Sequence, residues 1–307
     1  MPGSFYLQSE CYSDHSVNQF EWDDSLMYNC PTMKLPEIKL IVNADDLGRT
    51  VRINEGIQKA FREGILSSTS VVANSPAFDH GLTVARANPS LGVGIHLTLT
   101  EYPPLTDSEY LRMLARKNFG RAFLSLTYAT SAQLREVENE FHAQIEKTLA
   151  HGIRPTHLDG HNHVHVHPRL AGVVTRLARE YSLRYVRLPR ERLTYGKGVG
   201  RYIQKVMLAL VCGLDTLAWK SSLRWPDEFH GFTEGGGLTR EKVLGILRRL
   251  RPGINELMCH VGTENDDPPF SIGYRWLDEL GAITSFTKEQ LQREFGVRVI
   301  SYQEFES

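Results

Sequence analysis

A chain of 307 residues, 41% hydrophobic and 23% charged, has the size and balance of one large α/β domain and excludes a disordered or fibrous chain. Its 35 Lys and Arg nearly cancel its 36 Asp and Glu, so no global field draws it to nucleic acid or an anionic membrane. The longest apolar run, VMLALVCGL at 206–214, falls well short of the ~20 residues a bilayer span needs, so no transmembrane segment is expected.

In chain order, the first thirty residues are polar and acidic (Glu10, Asp14, Glu21, Asp23, Asp24) and lack a basic start followed by an apolar stretch. No secretory signal is read there. Residues 1–35 read as a poorly ordered or loosely attached extension, or as the product of a start codon upstream of Met33. The domain proper reads as 36–307. Its first element is the apolar run IKLIVN at 38–43, a buried strand that ends at Asp45-Asp46-Leu47-Gly48. Ile53, Ile57, Ala60 and Phe61 follow at helical spacing, stopped by Gly64. Strands are then expected at 68–73 and 91–97, with a helical stretch at 82–87 between them. A helix from Ser131 carries Leu134, Val137, Phe141, Ile145 and Leu149 on one face. After it come a strand at 156–159, a helix at 170–181 and a strand at 184–188.

Thr239 opens a helix with Val243, Leu244, Leu247 and Leu250 inward, followed by a strand at 256–260. Thr287 and Gln290 fit a capping box for a last helix, and Gly296 ends it before a strand at 297–302. Residues 202–219 read as a core helix, with an apolar lid or membrane-facing helix as the alternative. The alternation implies a parallel sheet with right-handed crossovers, in a single barrel-like α/β domain. No GxGxxG or GxxxxGK[ST] follows any strand, so dinucleotide and P-loop binding have no support. The irregular stretches 102–130 and 190–237 read as functional loops. The second holds Trp219, Trp225, Phe229 and Phe232, whose faces suit either core packing or sugar rings. Cys11, Cys30, Cys212 and Cys259 form no CxxC pair and read as reduced thiols in a cytoplasmic protein.

Four expected strands end in groups that core building does not require: Asp45-Asp46, His96, the stretch 157–167 and His260. In parallel α/β folds the carboxyl ends of strands share one ligand-binding face, so these groups converge. Asp46, His96 and a histidine of 157–167 make a three-ligand set with a position open for water, the pattern of a catalytic metal. One carboxylate and two imidazoles suit Zn²⁺, Mn²⁺, Fe²⁺ or Co²⁺, with Mg²⁺ still admitted. Such an ion acidifies water and polarises a carbonyl, and Asp45, free of ligation, can act as general base. Neighbouring strand residues point to opposite faces, so the Asp45-Asp46 pair must sit at the turn that begins at Leu47-Gly48. Histidines and Asp159 alternate along 157–167, and a continued strand would put His157, Asp159, His161, His163, His165 and His167 on one face. Singly, each group has a duller role: a helix cap for the aspartates, a core position for His96 or His260. Their joint occurrence points to a metal-dependent hydrolase. The rivals are another metal barrel, a sugar isomerase or phosphoesterase, and a non-catalytic metal- or sugar-binding protein.

The stretches IVNADDLG (41–48), GIHLTLT (94–100), PTHLDGHNHVHVHP (155–168), RLPRE (187–191) and ELMCHVG (256–262) together resemble the YdjC-like (ChbG/HpnK) carbohydrate deacetylases, from about Ile38 to the C-terminus. The resemblance implies a distorted TIM-like (βα) barrel and hydrolytic removal of an acetyl group from an N-acetylated sugar. It also implies one divalent ion, Mg²⁺ or Zn²⁺ with Mn²⁺ or Co²⁺ admitted, on Asp46, His96 and His161. By the same resemblance Asp45 is the base and His260 an acid or transition-state stabiliser. His157, Asp159 and His163 then orient the ligands or touch substrate. One departure is that His260-Val261 stands where many relatives have His-Pro. Chitooligosaccharide, a glycosylated lipid and an N-acetylated antibiotic precursor all fit these motifs as substrate, and a homodimer is left open.

Overall fold

In the computed structural model, which describes residues 37–193, 199–220, 222–265 and 273–306, the apolar run that opens the domain becomes strand β1, Ile38–Leu47. The extension expected at 1–35 lies outside those residues. Leu40, Ile41, Val42 and Ala44 are all fully buried. Both faces of the strand are covered, as a parallel sheet with helices outside requires. Helix α1, Val51–Glu63, buries Ile53, Ile57 and Ala60 at helical spacing and exposes Arg52, Glu55 and Lys59. Strand β2 (Ser68–Val71), helix α2 (Phe78–Ala87) and strand β3 (Gly92–Leu97) follow. Then come helices α3 (Glu109–Ala115), α4 (Phe119–Thr127) and α5 (Ser131–Ala150), strand β4 (His157–Gly160), helix α6 (Ala171–Glu180) and strand β5 (Tyr185–Val186). The last third holds α7 (Val199–Trp219), β6 (Glu228–His230), α8 (Arg240–Leu247), β7 (Gly253–Cys259), α9 (Trp276–Thr284), α10 (Lys288–Phe295) and β8 (Val297–Val299).

Among the described residues the eight strands form one sheet in the order β5-β4-β3-β2-β1-β7-β6, with β8 beside β1. Every pairing is parallel. One edge of β1 runs along β7 from Ile38↔Gly253 to Ala44↔Cys259; the other is shared by β8 over its first residues and β2 over its last. Arg224 bridges to Tyr185 just ahead of β6, which draws the two ends of the sheet together. The result is the distorted (βα) barrel expected, with every strand's carboxyl end on one face.

The expected strands and helices recur with shifted ends, and the loops differ most. The stretch 102–130 contains α3 and α4, whose N-caps Ser108 and Asn118 accept from the backbone three residues on. Thr287 caps α10 through Gln290 N, but the Gln290 side chain turns to Glu294, so the capping box is half made. Trp219 and Phe229 are core residues, and Phe232 lines a cavity that also holds Asp45 and Asp46.

Helix α7 departs furthest from expectation. It is longer than the run at 206–214 suggested, and its window Tyr202–Trp219 has a mean hydropathy of 1.2, enough by length and composition alone to cross a membrane. It is not the core helix expected either. Its inward face carries Lys205, Cys212, Asp215 and Trp219, while Ile203, Met207, Leu210, Leu214 and Leu217 face out. Lys205 pairs with Glu191 at 3.1 Å, and Trp219 donates to Ala171 O. Both carboxylate oxygens of Asp215 lack a hydrogen-bond partner among the described residues, and burial pushes the group up to about 7 from an ordinary 3.8.

A carboxyl raised in the folded state stabilises the fold below its unfolded pKa and loses that contribution as pH rises through the folded value. Asp215 therefore erodes stability between about pH 4 and 7. Asp215→Asn should melt a few degrees above wild type at pH 8 and show little gain at pH 4, by thermal denaturation. An equal shift at both pH values would contradict this.

Candidate metal centre

The end of β1 resolves how two adjacent aspartates face one cavity. Asp46 has a φ of 71°, a left-handed conformation that aspartate tolerates better than most residues, and the β1–β2 register shifts between Ala44 and Leu47. This irregularity inside the strand, rather than the turn expected at Leu47-Gly48, re-aims one side chain. Asp45 and Asp46 both line the cavity and are 3% and 2% exposed.

His96 comes from the end of β3. Its Nδ1 lies 2.8 Å from Asp159 Oδ1 on the neighbouring β4, which leaves Nε2 aimed at Asp46 Oδ1, 3.7 Å away, and Asp45 Oδ2, 4.0 Å away. His161 opens the short 3-10 turn after β4, with Nδ1 3.2 Å from Asp46 Oδ1. Its Nε2 lies 3.0 Å from Glu101 Oε1 but off the direction of a hydrogen bond. Donor atoms of Asp46, His96 and His161 lie within 4.8 Å of one another. Tetrahedral ligands with bonds of about 2.1 Å stand roughly 3.4 Å apart, so this group fits a divalent cation.

Asp45, His96 and Asp159 lie equally close together. That group already has its cation. Arg187, at the end of β5, is fully buried. Its Nη1 and Nη2 hold Asp45 at 2.7 and 2.6 Å, Nη1 is 3.0 Å from Asp159, and Nε donates to Glu256 at 2.8 Å. Asn43 and Ser70 complete the mesh: Asn43 Nδ2 donates to Asp45 and Ser70, and Ser70 Oγ to Asp159 Oδ2. Tyr302 donates to the far oxygen of Glu256. A second cation here would meet the guanidinium, so the geometry favours the set with His161.

The electrostatics agree. Burial works against ionising Asp46, but His161, Arg49 and His96 outweigh it and hold the carboxyl well below the usual range. Burial equally opposes the His161 cation, yet Asp46 and Glu101 push it up to about 10. A point that attracts a proton this strongly is one of negative potential, where a metal cation is also favoured. Asp159, despite burial, is held low by Arg187 and His96.

The other histidines do not share one face. Asn162 and His163 take positive φ of 53° and 56°, so the chain turns where a continued strand was expected. His157 is buried, driven down to about 3 by burial, and stacks on Tyr302 at 3.8 Å. Gly94 leaves it room, since a Cβ there would come within 2.4 Å of its ring. His163 lines the cavity. His165 binds Arg187 O and lies parallel to Trp219, and His167 binds Phe123 O and Thr127. His260, from the end of β7, also lines the cavity; burial lowers it, though Asp45 and Asp46 oppose that. Its backbone N–H donates to Glu279, and its ring sits edge-on to Tyr274.

Sequence reasoning gave no part to Arg187, Glu101 or Arg49. A cation closing the buried strand YVR, and an acid directly after GIHLTLT, were the available signals. Arg49 reaches Glu101 at 3.0 Å, and Glu101 itself has a φ of 72°.

The profile of the family described as YdjC-like protein matches residues 39–294. The chain is 34% identical to a carbohydrate deacetylase of Geobacillus stearothermophilus, over 86% of this chain and 97% of the relative. It is 30% identical to the carbohydrate deacetylase of Homo sapiens (90% and 93%) and to a chitooligosaccharide deacetylase of Klebsiella pneumoniae (86% and 98%). Among solved structures, an Enterococcus faecalis protein described as a cellobiose-phosphate cleavage protein superposes with a TM-score of 0.60 at 25% identity, covering 87% of this chain and 98% of that one.

Two outcomes test this geometry. His96→Ala and His161→Ala should each lose bound Zn²⁺ in equilibrium dialysis, while Asp45→Asn keeps it; full occupancy in either histidine variant contradicts the ligand set. Arg187→Met, which strands buried carboxylates, should cost about 3–5 kcal/mol in denaturant unfolding.

Proposed function

The chain belongs to the YdjC-like family, and from that membership we propose that it is a metal-dependent hydrolase that removes the acetyl group from an N-acetylated sugar. Relatives named carbohydrate deacetylase and chitooligosaccharide deacetylase support the reaction and the substrate class. The observation that carries the mechanism is the bonding of Asp45. A carboxylate offers about four lone-pair directions. Oδ1 accepts from Arg187 Nη2 and Asn43 Nδ2, and Oδ2 from Arg187 Nη1. Among the described residues the direction left open belongs to Oδ2, the oxygen facing His96 Nε2 at 4.0 Å. Asp45 is thus a base held rigid and able to take one proton, at a known atom, beside the metal ligands.

A divalent cation on Asp46, His96 and His161 would supply positive charge for the acetamide oxygen and acidify the attacking water. Two nitrogens and one oxygen fit Zn²⁺ best, since Mg²⁺ prefers oxygen donors. His260, whose ring is kept below its ordinary pKa by burial, relays to the departing amine the proton that Asp45 takes from the water; among the described residues its buried Nδ1 has no hydrogen-bond partner. His157 and Asp159 position the ligands from behind, and His163 is the substrate-side candidate. Phe232, Tyr274 and Trp276 line the same cavity and supply flat faces for a sugar ring. Isomerase or phosphoesterase chemistry usually draws on more carboxylate ligands than Asp46 alone. Cys212 and Cys259 are buried and make no disulfide among the described residues, which supports a cytoplasmic setting.

Acetate release from N,N′-diacetylchitobiose by the Zn²⁺-loaded protein tests the reading. Asp45→Asn should keep its metal and lose about 10²–10⁴-fold in kcat; near-wild-type turnover would remove Asp45 from the mechanism. His260→Gln should lower kcat more than it changes KM, because its proton is needed only as the bond breaks.

A further inference from the structure

The cavity over the candidate metal centre, about 760 Å³, has two unlike halves. One is polar: Asp45, Asp46, Arg49, Glu101, His161 and Asn162. The other is a wall of Phe119, Phe123 and Leu124 from α4 facing Met207, Leu208 and Val211 from α7. Gln204 and Thr127 are the polar side chains that these two helices add to the lining. A bare oligosaccharide gains little there, because hydroxyl groups stripped of water need partners to replace it.

The wall does not stop at the rim. Phe119, Leu124 and Met207 are 43%, 59% and 56% exposed although they line the cavity. From Met207 the apolar stripe runs along α7 through Leu210, Leu214 and Leu217, all more than half exposed. The same helix buries Lys205 and Asp215, the reverse of what a water-facing surface helix does. Exposed apolar surface of this extent, continuous with a reaction cavity, marks a surface that is covered in use.

Resting on the deacetylase reading, we propose that the substrate is amphiphilic: an N-acetylated sugar whose aglycone is an apolar chain lying between α4 and α7. The sugar places its acetamide at the polar floor, and the tail leaves the cavity over Leu124 and Met207. Because wall and reaction centre share one cavity, the occupant is part of the molecule that reacts.

Calorimetric titration of the Zn²⁺-loaded Asp45→Asn chain, in which turnover is suppressed, with methyl and octyl β-glycosides of N-acetylglucosamine tests this. The octyl compound is kept below its micelle concentration. A fully buried methylene is worth up to about fourfold in affinity, so burying even two gives roughly tenfold. The octyl glycoside should bind at least tenfold more tightly than the methyl one. Adding Leu124→Ser and Met207→Ser, both exposed positions that the fold tolerates, should remove that gain and leave methyl binding unchanged. Equal affinities, or a gain that survives both serines, overturn the proposal. So does sedimentation with bare phosphatidylcholine vesicles, or a dimer dissolved by the serines, when the octyl gain is absent; the wall then serves a bilayer or a second copy. If the methyl glycoside binds and the wild-type chain releases its acetate, the deacetylase reading stands whatever the tail does; if neither glycoside binds or reacts, that reading falls.

Discussion

One buried guanidinium organises the centre of this protein. Arg187 has no exposed surface, yet it touches three carboxylates supplied by β1, β4 and β7. Removing so many charges from water is tolerated only when each finds a partner with good geometry. The pairs therefore fix where the three strand ends lie relative to β5. Two consequences follow for the site. Asp45 is pinned by both oxygens and cannot swing into the metal position, and Asp159 is turned so that its free oxygen orients His96. Burial still pushes Glu256 up to about 7, because Arg187 lowers it less than desolvation raises it.

Around that fixed centre the molecule divides its labour. The strand ends carry the charged chemistry and are held by hydrogen bonds between neighbours in the sheet. The proposed recognition surfaces lie on the helices outside the sheet and on the segment just before α9. Tyr274 and Trp276 flank His260, whereas α4 and α7 add an apolar wall that no hydroxyl-rich ligand would select. The low-dielectric surroundings strengthen each ion pair at the floor, so a dry wall also serves the chemistry below it.

Much of this was legible beforehand, and the failures have definite causes. Polar residues closing apolar runs pointed to Asp45-Asp46, His96, 157–167 and His260; Asp45, Asp46, His96, His161, His163 and His260 line one cavity, whereas His157, Asp159, His165 and His167 do not. Period-two spacing misled at 157–167, because Asn162 and His163 adopt left-handed conformations that spacing does not reveal. The same holds for the pair at 45–46, where a bulge does what a turn was expected to do. Arg187 was quoted only inside a motif. A lone arginine near a strand end reads as a surface residue until the carboxylates around it are known, and those come from positions as distant as 45 and 256. Helix α7 was recognisable by composition, but composition does not say which face meets the core. There the buried charges of Lys205 and Asp215 reversed the expected orientation.

The proposed chemistry divides the floor of the cavity between a metal held by Asp46, His96 and His161 and a base, Asp45, held by Arg187. Anomalous X-ray scattering at the zinc edge, from crystals grown with Zn²⁺, measures that division directly. The account predicts a single strong peak within bonding distance of Asp46, His96 Nε2 and His161, with Asp45 outside the coordination sphere and still paired with Arg187. A peak bonded to Asp45 and Asp159, with Arg187 displaced, would contradict it.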